Sequence, residues 1–384
     1  MRNLKSALSR EWNRLFSTRL TKWGLFLLPI LSVLLFFSIY YNAFVLKIPT
    51  VIVDKDKSAS SRQIVRYLSI NRYLSVDYKM DSFEKALPLV KSQKAYILIY
   101  IPSKFEKNLL IYNQPTIKAF SYGTNLLIGR LAQKSVVECI SALNKERSRL
   151  NIYNLRQESA YTKNTGTQPE LMINNVYNPS YNYLWYMSPA VTMSLWQMIL
   201  LIICIPLFSK EWEKDKYSAL LQSTGKNTLT VYLSKLLIPL AFMLMNFMIL
   251  YYLVFPLSNL AILGNFFTGL LIFSLFFISI MNLAFFIANL VKQSLFCTEI
   301  GIFITAPAFA FSGYTYPFLE MPLLHRIFAL SMPTTHFLPV FSMFYMQGSD
   351  FSLILLKMKN LILYTLITSA LALYFISKNI RNAK

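Results

Sequence analysis

Long apolar runs separated by short charged segments make up most of this chain. A membrane-spanning α-helix needs about 20 mostly apolar residues. Six runs meet or approach this length and predict six transmembrane helices: residues 23–46, 183–208, 235–255, 261–291, 295–314 and 357–377. The pattern therefore predicts an α-helical polytopic membrane protein.

A different pattern fills residues 47–182, between the first and second apolar runs. Short β-branched runs alternate there with segments of helical periodicity. The predicted strands are 49–53, 74–78, 95–101 and 116–122, and the predicted helices are 60–68, 81–90, 103–110 and 125–157. Alternation of strands and helices is typical of an α/β domain with a partly parallel sheet. We therefore expect such a domain to be inserted between the first two membrane helices.

The basic residues predict how the chain is oriented. Residues 1–22 carry six Lys and Arg against the single acid Glu11, and the tail 378–384 is basic. Since cytoplasmic segments near a membrane are enriched in Lys and Arg, both termini are predicted to be cytoplasmic. Residues 47–182 are then extracytoplasmic and residues 209–234 form a cytoplasmic loop. Apolar residues at helical spacing within 1–22 predict an amphipathic helix on the inner membrane face. A charged, solvated tail is the alternative.

Composition narrows the class of protein. Hydrophobic residues make up 55% of the chain and charged residues 14%, whereas soluble domains carry about 25% charged residues. An ordinary soluble enzyme is therefore excluded. With this hydrophobicity, the net charge of +21 indicates contact with anionic membrane lipids rather than with nucleic acid. The three cysteines are widely spaced and suggest neither a disulfide framework nor a metal site.

The cytoplasmic loop at 209–234 contains alternating charges beside an apolar face. Trp212, Tyr217, Leu220 and Leu221 form that face. This arrangement predicts a short amphipathic helix that either lies on the membrane or docks a soluble partner.

Three stretches resemble the permease subunits of ABC-2 type transporters, in the six-span form with a large external loop. The first is KEWEKDKYSALL at 210–221 with LSKLL at 233–237, the second is FSGYTYP at 311–317 with MP at 321–322 and PTTH at 333–336, and the third is VIVDKDKS at 51–58. Their order and spacing cover nearly the whole chain. This sequence has Asp215-Lys216 where the family has Gly-Thr, and Gly225 where it has Pro.

The resemblance implies an exporter assembled from separate subunits. Two permeases, identical or paralogous, would pair, and each would bind a cytoplasmic ABC ATPase that uses ATP and Mg. The residues of the implied ATPase-coupling element are Lys210, Glu211, Trp212, Glu213, Lys214, Leu220 and Leu221. The chain has no GxxxxGK[ST] phosphate-binding sequence. It is therefore expected to bind no cofactor itself and to be a transporter permease rather than an enzyme.

Residues 315–356 contain four prolines, which interrupt helices. Since irregular backbone cannot face lipid, we expect two short re-entrant helices on the outer side, as in the family. The residues singled out in this segment are Pro317, Pro322, Pro333 and His336. His336 is predicted to pack or to form a hydrogen bond rather than to carry protons.

The leading hypothesis is export of amphipathic drugs or lipid-like molecules. Trp196, Glu299, Phe303 and Phe311 are the candidate substrate-pathway residues. An ionisable residue within the membrane is a functional candidate by default, although Glu299 also fits a pair with Lys292 near the inner interface.

Two other functions stay open. One is a non-transporting scaffold whose external domain binds periplasmic or cell-wall partners. The other is a permease for polysaccharides or lipid-linked glycans, although such relatives usually lack a domain as large as 47–182. That domain suits a periplasmic adaptor and an outer-membrane channel, so we expect the protein in a bacterial inner membrane.

Overall fold

The computed structural model describes residues 2–17, 19–40, 46–110, 115–121, 126–158, 182–212, 214–258, 262–291 and 293–382. The chain forms two compact units. One unit comprises residues 1–43 and 175–384, and the other comprises residues 44–174.

Helices account for most of the described residues. In chain order they are α1 (Arg2–Ser17), α2 (Arg19–Ile39), α3 (Ala59–Ile70), α4 (Phe83–Lys91), α5 (Phe105–Leu110), α6 (Leu126–Glu158), α7 (Tyr183–Ser209), α8 (Lys214–Thr224), α9 (Thr228–Ile249), α10 (Phe255–Leu257), α11 (Phe266–Val291), α12 (Ser294–Thr305), α13 (Ala308–Phe311), α14 (Leu323–Leu330), α15 (Pro333–Ser342) and α16 (Phe351–Asn382). The strands are β1 (Ile48–Asp54), β2 (Leu74–Met80), β3 (Ile97–Ile101) and β4 (Lys118–Ser121). Short 3₁₀ turns lie at Lys210–Trp212 and Phe318–Glu320, and π-helical turns lie at Leu250–Val254 and Met343–Gln347.

Four of the described helices are long and apolar enough to cross a membrane: Leu184–Ser209, Thr228–Leu257, Phe266–Leu290 and Phe351–Asn382. A fifth candidate is the pair Leu323–Leu330 and Pro333–Gln347, which is bent by 79°. Such a bend fits either a broken span or a re-entrant loop. The protein is thus a polytopic helical membrane protein, and the number of six spans stays a prediction.

The first and fifth predicted spans differ from the helices observed. The apolar part of α2 covers Trp23–Ile39, and residues 41–45 lie outside the described residues. In the fifth predicted span, α12 ends at Thr305 and the short α13 begins only at Ala308. Pro307 lies in this break, and its ring removes a backbone donor and clashes with the preceding turn. The sixth predicted span is longer than expected, because α16 begins at Phe351.

Pro29 lies inside α2 and has no N–H group, so the carbonyl oxygen of Leu25 loses its donor within the helix. Asn246 of α9 replaces that donor, with Nδ2 at 2.9 Å from the Leu25 oxygen. The indole Nε1 of Trp196 in α7 donates to the Pro29 oxygen at 3.2 Å. Because a bare carbonyl is costly away from water, these bonds fix where α7 and α9 meet α2.

The same arrangement recurs in α7. Pro189 leaves the carbonyl oxygen of Trp185 without its helical donor. The hydroxyl of Tyr345 donates to this oxygen at 2.7 Å. The turn after α15 is therefore held against the first half of α7.

Helix α11 lies at the centre of the first unit's core. Its Phe273, Phe276 and Phe277 are fully buried, as are Phe337 and Phe341 of α15. Phe276 stacks on Phe337 with ring centroids 3.9 Å apart. A helix that is apolar on all sides is typical of such a central position.

The second unit contains a four-stranded sheet in the order β2-β1-β3-β4. Strand β1 runs parallel to both β2 and β3, and β4 runs antiparallel to β3. Val51, Val53 and Leu98 pack on one face of the sheet against Ala86 and Val90 of α4. Because side chains alternate along a strand, Ile52 points to the opposite face.

Candidate functional site

One face of α1 is buried, and it contains a carboxylate. Ala7, Glu11 and Leu15 are spaced four residues apart and therefore share a helix face. All three are buried, and Glu11 is only 1% exposed. A buried charge is costly unless it is paired, so the partners of Glu11 define the site.

The members of its charge network come from α1 itself and from two other segments of the chain. A 3₁₀ turn follows α7 at Lys210–Trp212 and places Glu211 inward, at 3% exposure. Lys235 of α9 is also 3% exposed. Together with Arg10 and Arg14 of α1, these residues form what we call the ion cluster: Arg10, Glu11, Arg14, Glu211 and Lys235.

Short contacts connect every member of the ion cluster. Lys235 Nζ donates to Glu11 Oε1 at 2.8 Å and also contacts the carboxylate of Glu211. Arg10 donates to Glu11 Oε1 at 2.7 Å and to Glu211 Oε2 at 2.9 Å. Arg14 contacts the Glu211 carboxylate as well. Arg14 Nη1 also lies 3.7 Å from Glu11 Oε2, so each carboxylate is shared among three cations.

Both arginines also bind backbone oxygens of neighbouring helices. Arg10 Nη2 donates to the Lys216 oxygen of α8 at 3.1 Å, and Arg14 Nη2 donates to the Leu207 oxygen of α7 at 3.0 Å. Leu207 lies in the last turn of α7, where carbonyl groups lack helical donors and favour cations. The ion cluster therefore joins α1, α7, α8 and α9.

Charge pairs of this kind determine geometry more than they add stability. Removing charges from water costs several kcal/mol per ion, and the attraction within the pair roughly repays this cost. Loss of one partner is different, because it leaves a buried charge uncompensated and costs about 3–5 kcal/mol. The ion cluster holds three cations and two carboxylates, so these elements separate only at a high energetic cost.

The residues of the predicted coupling element differ in their exposure to solvent. Lys210 is exposed, whereas Glu211, Leu220 and Leu221 are buried. Leu220 and Leu221, which the sequence places on an apolar face for the membrane or a partner, pack instead into the protein's own core. The exposed side of α8 instead includes Lys216.

The remaining coupling residues are less fully described. Trp212 and Lys214 lie in helical backbone, and Glu213 lies outside the described residues. The coupling role of the whole segment stays a prediction.

The four predicted pathway residues do not form one cluster. Trp196 is 1% exposed and packs against Phe273 and Phe277 in the core. Glu299 and Phe303 lie four residues apart on one face of α12. Both are exposed, and Phe303 is 83% exposed.

Phe311 is the last residue of α13 and is partly buried. It contacts the rings of His325 and Phe328 in α14, with centroids 5.5 and 5.3 Å away. The alternative partner of Glu299, Lys292, lies outside the described residues.

The residues singled out in the bent segment lie at helix starts. Pro317 precedes a 3₁₀ turn, Pro322 precedes α14, and Pro333 is the first residue of α15. His336 Nε2 lies 2.9 Å from the oxygen of Leu330. The ring of His336 packs 4.9 Å from that of Tyr364. Within the described residues, His336 thus has packing and hydrogen-bonding contacts.

The two carboxylates at the end of β1 serve local structure. Asp54 accepts hydrogen bonds from the backbone of the following turn and from Ser61. Asp56 accepts from the backbone N–H groups of Phe105 and Glu106 at the start of α5, each at 3.0 Å. The pKa of Asp56 is lowered, mainly by a hydrogen bond with Ser58 and also by these N–H groups. No group of three potential metal ligands occurs in the part of the chain that the structure describes.

Sequence reasoning did not assign Arg10, Glu11, Arg14 or Lys235 to the site. Two signals were present. Glu11 is the single acid among the basic residues of the N-terminal segment, and it falls on the apolar face of α1. Lys235 is the one charge at the start of the apolar run 235–255. Isolated charges on apolar faces indicate buried pairs, but they do not identify the partners.

Comparison with known proteins gives a consistent result. The family described as ABC-2 family transporter protein matches residues 22–374. The chain is also similar to the Escherichia coli K12 protein "Probable multidrug ABC transporter permease YbhR", with 21% identity over 355 residues that cover 91% of each chain. The protein of the same name from Escherichia coli O157:H7 is similar to the same degree.

Proposed function

Because the chain belongs to the ABC-2 family of transporter proteins, and is therefore an ABC transporter permease, we propose that it exports amphipathic drugs or lipid-like molecules. The molecules would leave the cytoplasm or the inner leaflet. The ATP would be hydrolysed by a separate cytoplasmic subunit, and a second permease copy or paralogue would complete the pathway.

The substrate class rests on the relatives and on surface chemistry. The similar proteins from Escherichia coli are named as multidrug permeases. On α12, Glu299 and Phe303 are both exposed and lie about one helical turn apart. A negative charge next to an aromatic surface suits cationic amphipathic molecules, which combine a charge with an apolar body.

The ion cluster is the observation that carries the coupling proposal. An ATPase that moved the exposed side of α8 would displace Lys216, whose backbone oxygen accepts from Arg10. Arg10 is bonded to Glu211, and Glu211 contacts Lys235 of α9. Separating the members of a buried charge network costs several kcal/mol. Movement of α8 would therefore also move α1 and the adjoining ends of α7 and α9.

The topology belongs to the same proposal. Residues 209–234 would face the cytoplasm and the second unit would lie on the outer side of a bacterial inner membrane. A periplasmic adaptor and an outer-membrane channel are further proposed partners of that unit.

Transport is tested in everted membrane vesicles from cells that express the chain at wild-type level or lack it. The probes are ethidium and a fluorescent short-chain phospholipid, with ATP added and the proton gradient collapsed. We expect ATP-dependent uptake of at least one probe only when the chain is present. Compared at equal amounts of folded chain, the Glu211→Gln variant should show this uptake reduced at least tenfold, whereas Lys378→Gln, at an exposed position in α16, should retain it.

Purification of the tagged chain from the same membranes separates the parts of the proposal. A co-purifying ATPase with vanadate-sensitive activity supports the exporter. If this ATPase is recovered but neither probe is taken up, the proposed substrate class is contradicted and a glycan permease is favoured. Absence of both uptake and ATPase, with the chain correctly folded by size-exclusion chromatography, would contradict transport and favour the scaffold.

A further inference from the structure

The second unit contains a cavity of about 490 Å³ between α3 and the ends of β1 and β2. Its floor is formed by Ile52 of β1 and by the last residues of β2. One side of α3 forms the wall, including Arg62 and Arg66, which lie one helical turn apart. The volume falls within the 300–1,000 Å³ range of small-molecule sites.

The lining of this cavity is strongly basic. Lys57, Arg62, Arg66 and Lys79 face two carboxylates, those of Asp54 and Asp81. The cations therefore exceed the acids by two.

Both carboxylates are already engaged. Asp54 accepts from two backbone N–H groups and from the Ser61 hydroxyl, and Asp81 pairs with Lys57 at 3.3 Å. In the described part of the chain, the side chains of Arg66 and Lys79 form no hydrogen bond or ion pair. The excess positive charge thus lies on groups that are available to a ligand.

An irregularity in β2 brings Lys79 into this cavity. The pairing of β1 with β2 shifts between Thr50 and Val51, so that Thr50 pairs with Val76 but Val51 pairs with Tyr78. The extra residue is Asp77. In regular pairing Lys79 would lie beside Val53, on the apolar face covered by α4, whereas the shift pairs it with Ile52 on the opposite face. A one-residue slip exchanges the two faces of a strand, and such bulges often redirect a functional side chain.

We propose that this cavity binds a phosphate-bearing anion through Arg66 and Lys79, beside Arg62, whose Nε and Nη2 donate to the Lys57 oxygen. The planar guanidinium group matches phosphate geometry and binds it in a bidentate manner. The negative charge of a phosphate group offsets the excess of positive charge in the lining. The phosphate belongs either to a lipid headgroup or to a soluble molecule.

Isothermal titration calorimetry of the full-length chain in a neutral detergent tests this site. The probes are inorganic pyrophosphate and water-soluble dihexanoyl phosphatidylglycerol, with zwitterionic dihexanoyl phosphatidylcholine, which has no net charge, as the comparison. The site variant is Arg66→Gln with Lys79→Gln. The matched control is Lys91→Gln with Lys94→Gln, which removes the same charge from exposed positions at the end of α4 and just beyond it.

We expect one anionic probe per chain to bind the wild type and the control equally, and the site variant at least tenfold more weakly. Binding should also weaken as salt is raised, as for any multiply charged contact. Binding of phosphatidylglycerol but not of pyrophosphate would assign the site to lipid headgroups. Binding of both would assign it to the phosphate group itself. Binding of neither anion, or equal losses in the site variant and the control, would overturn the proposal.

Discussion

Removing a positive charge from the ion cluster should harm the protein much less than removing a negative one. The cluster has three cations around two carboxylates, and all except the arginines are almost fully buried. Lys235→Met leaves two cations with two carboxylates and keeps the volume of the side-chain stem. Glu211→Gln leaves three cations around one carboxylate.

The expected magnitudes follow from these charge counts. Glu211→Gln breaks buried pairs with Arg10, Arg14 and Lys235 and should cost about 3–5 kcal/mol, as when one partner of a buried pair is removed. Lys235→Met loses its hydrogen bonds but also relieves the burial of an excess charge, so it should cost about 0–2 kcal/mol. Since about 1 kcal/mol shifts the melting temperature by a few degrees, the two variants should differ by several degrees.

Buried thiols provide the assay. Cys204 and Cys297 are fully buried in the first unit, so a thiol-reactive fluorophore reports its thermal unfolding in detergent. A Cys139→Ala background removes the thiol of the second unit. Lys210→Met, at an exposed position, controls for loss of a positive charge and should leave the melting temperature unchanged.

The double variant gives the decisive result. Adding Lys235→Met to Glu211→Gln lowers the excess of cations from two to one, so the double variant should be more stable than Glu211→Gln alone. A double variant less stable than either single variant would refute the charge-balance reasoning, as would a Lys235→Met variant less stable than Glu211→Gln.

Three further predictions concern other parts of the chain. Tyr345→Phe removes the hydroxyl that donates to the Trp185 carbonyl, which Pro189 leaves without a helical donor, and should lower the stability by about 0.5–1.5 kcal/mol in the thiol assay. Adding Pro189→Ala restores the helical donor and should recover part of this loss. Losses of stability that simply add would contradict the prediction. Gly269→Ala places a Cβ 2.6 Å from the Phe344 ring and should lower the stability by about 1–3 kcal/mol through overpacking. Adding Phe344→Leu should recover part of this stability, and no recovery would contradict the prediction. Asp56, whose pKa is lowered in the folded state, should stabilise the start of α5 above pH 4 and lose this effect as the pH falls further. In limited proteolysis, the wild type should be cleaved more slowly than Asp56→Asn at pH 7, and this difference should shrink toward pH 3. A difference in cleavage rate that does not change with pH would contradict the prediction.

Much of the class of this protein follows from the sequence alone. Apolar runs that lack charges over about 20 residues have no stable place in water, so composition and run length predict membrane helices without knowledge of their neighbours. The alternation of strands and helices between residues 47 and 158 is equally local, because periods of 2 and 3.6 residues are properties of single elements. For the caps of α3 and α4, the sequence allows Ser58 or Ser60 and Asp81 or Ser82, and the structure shows that Ser58 and Ser82 accept the capping bonds.

The sites depended on the tertiary structure, because each unites residues that lie far apart in the chain. Glu11 meets Lys235 across 224 positions, and Arg10 meets Glu211 across 201. Sequence reasoning selected Glu211 as a coupling residue but could not show that it is buried. Similarly, the proline at position 29 predicts a bare carbonyl, but not that Asn246 would satisfy it. Lys79 reaches its cavity only because one residue bulges from β2. Local periodicity determines which face of an element is apolar, whereas the partner of a buried polar group is decided by packing between elements.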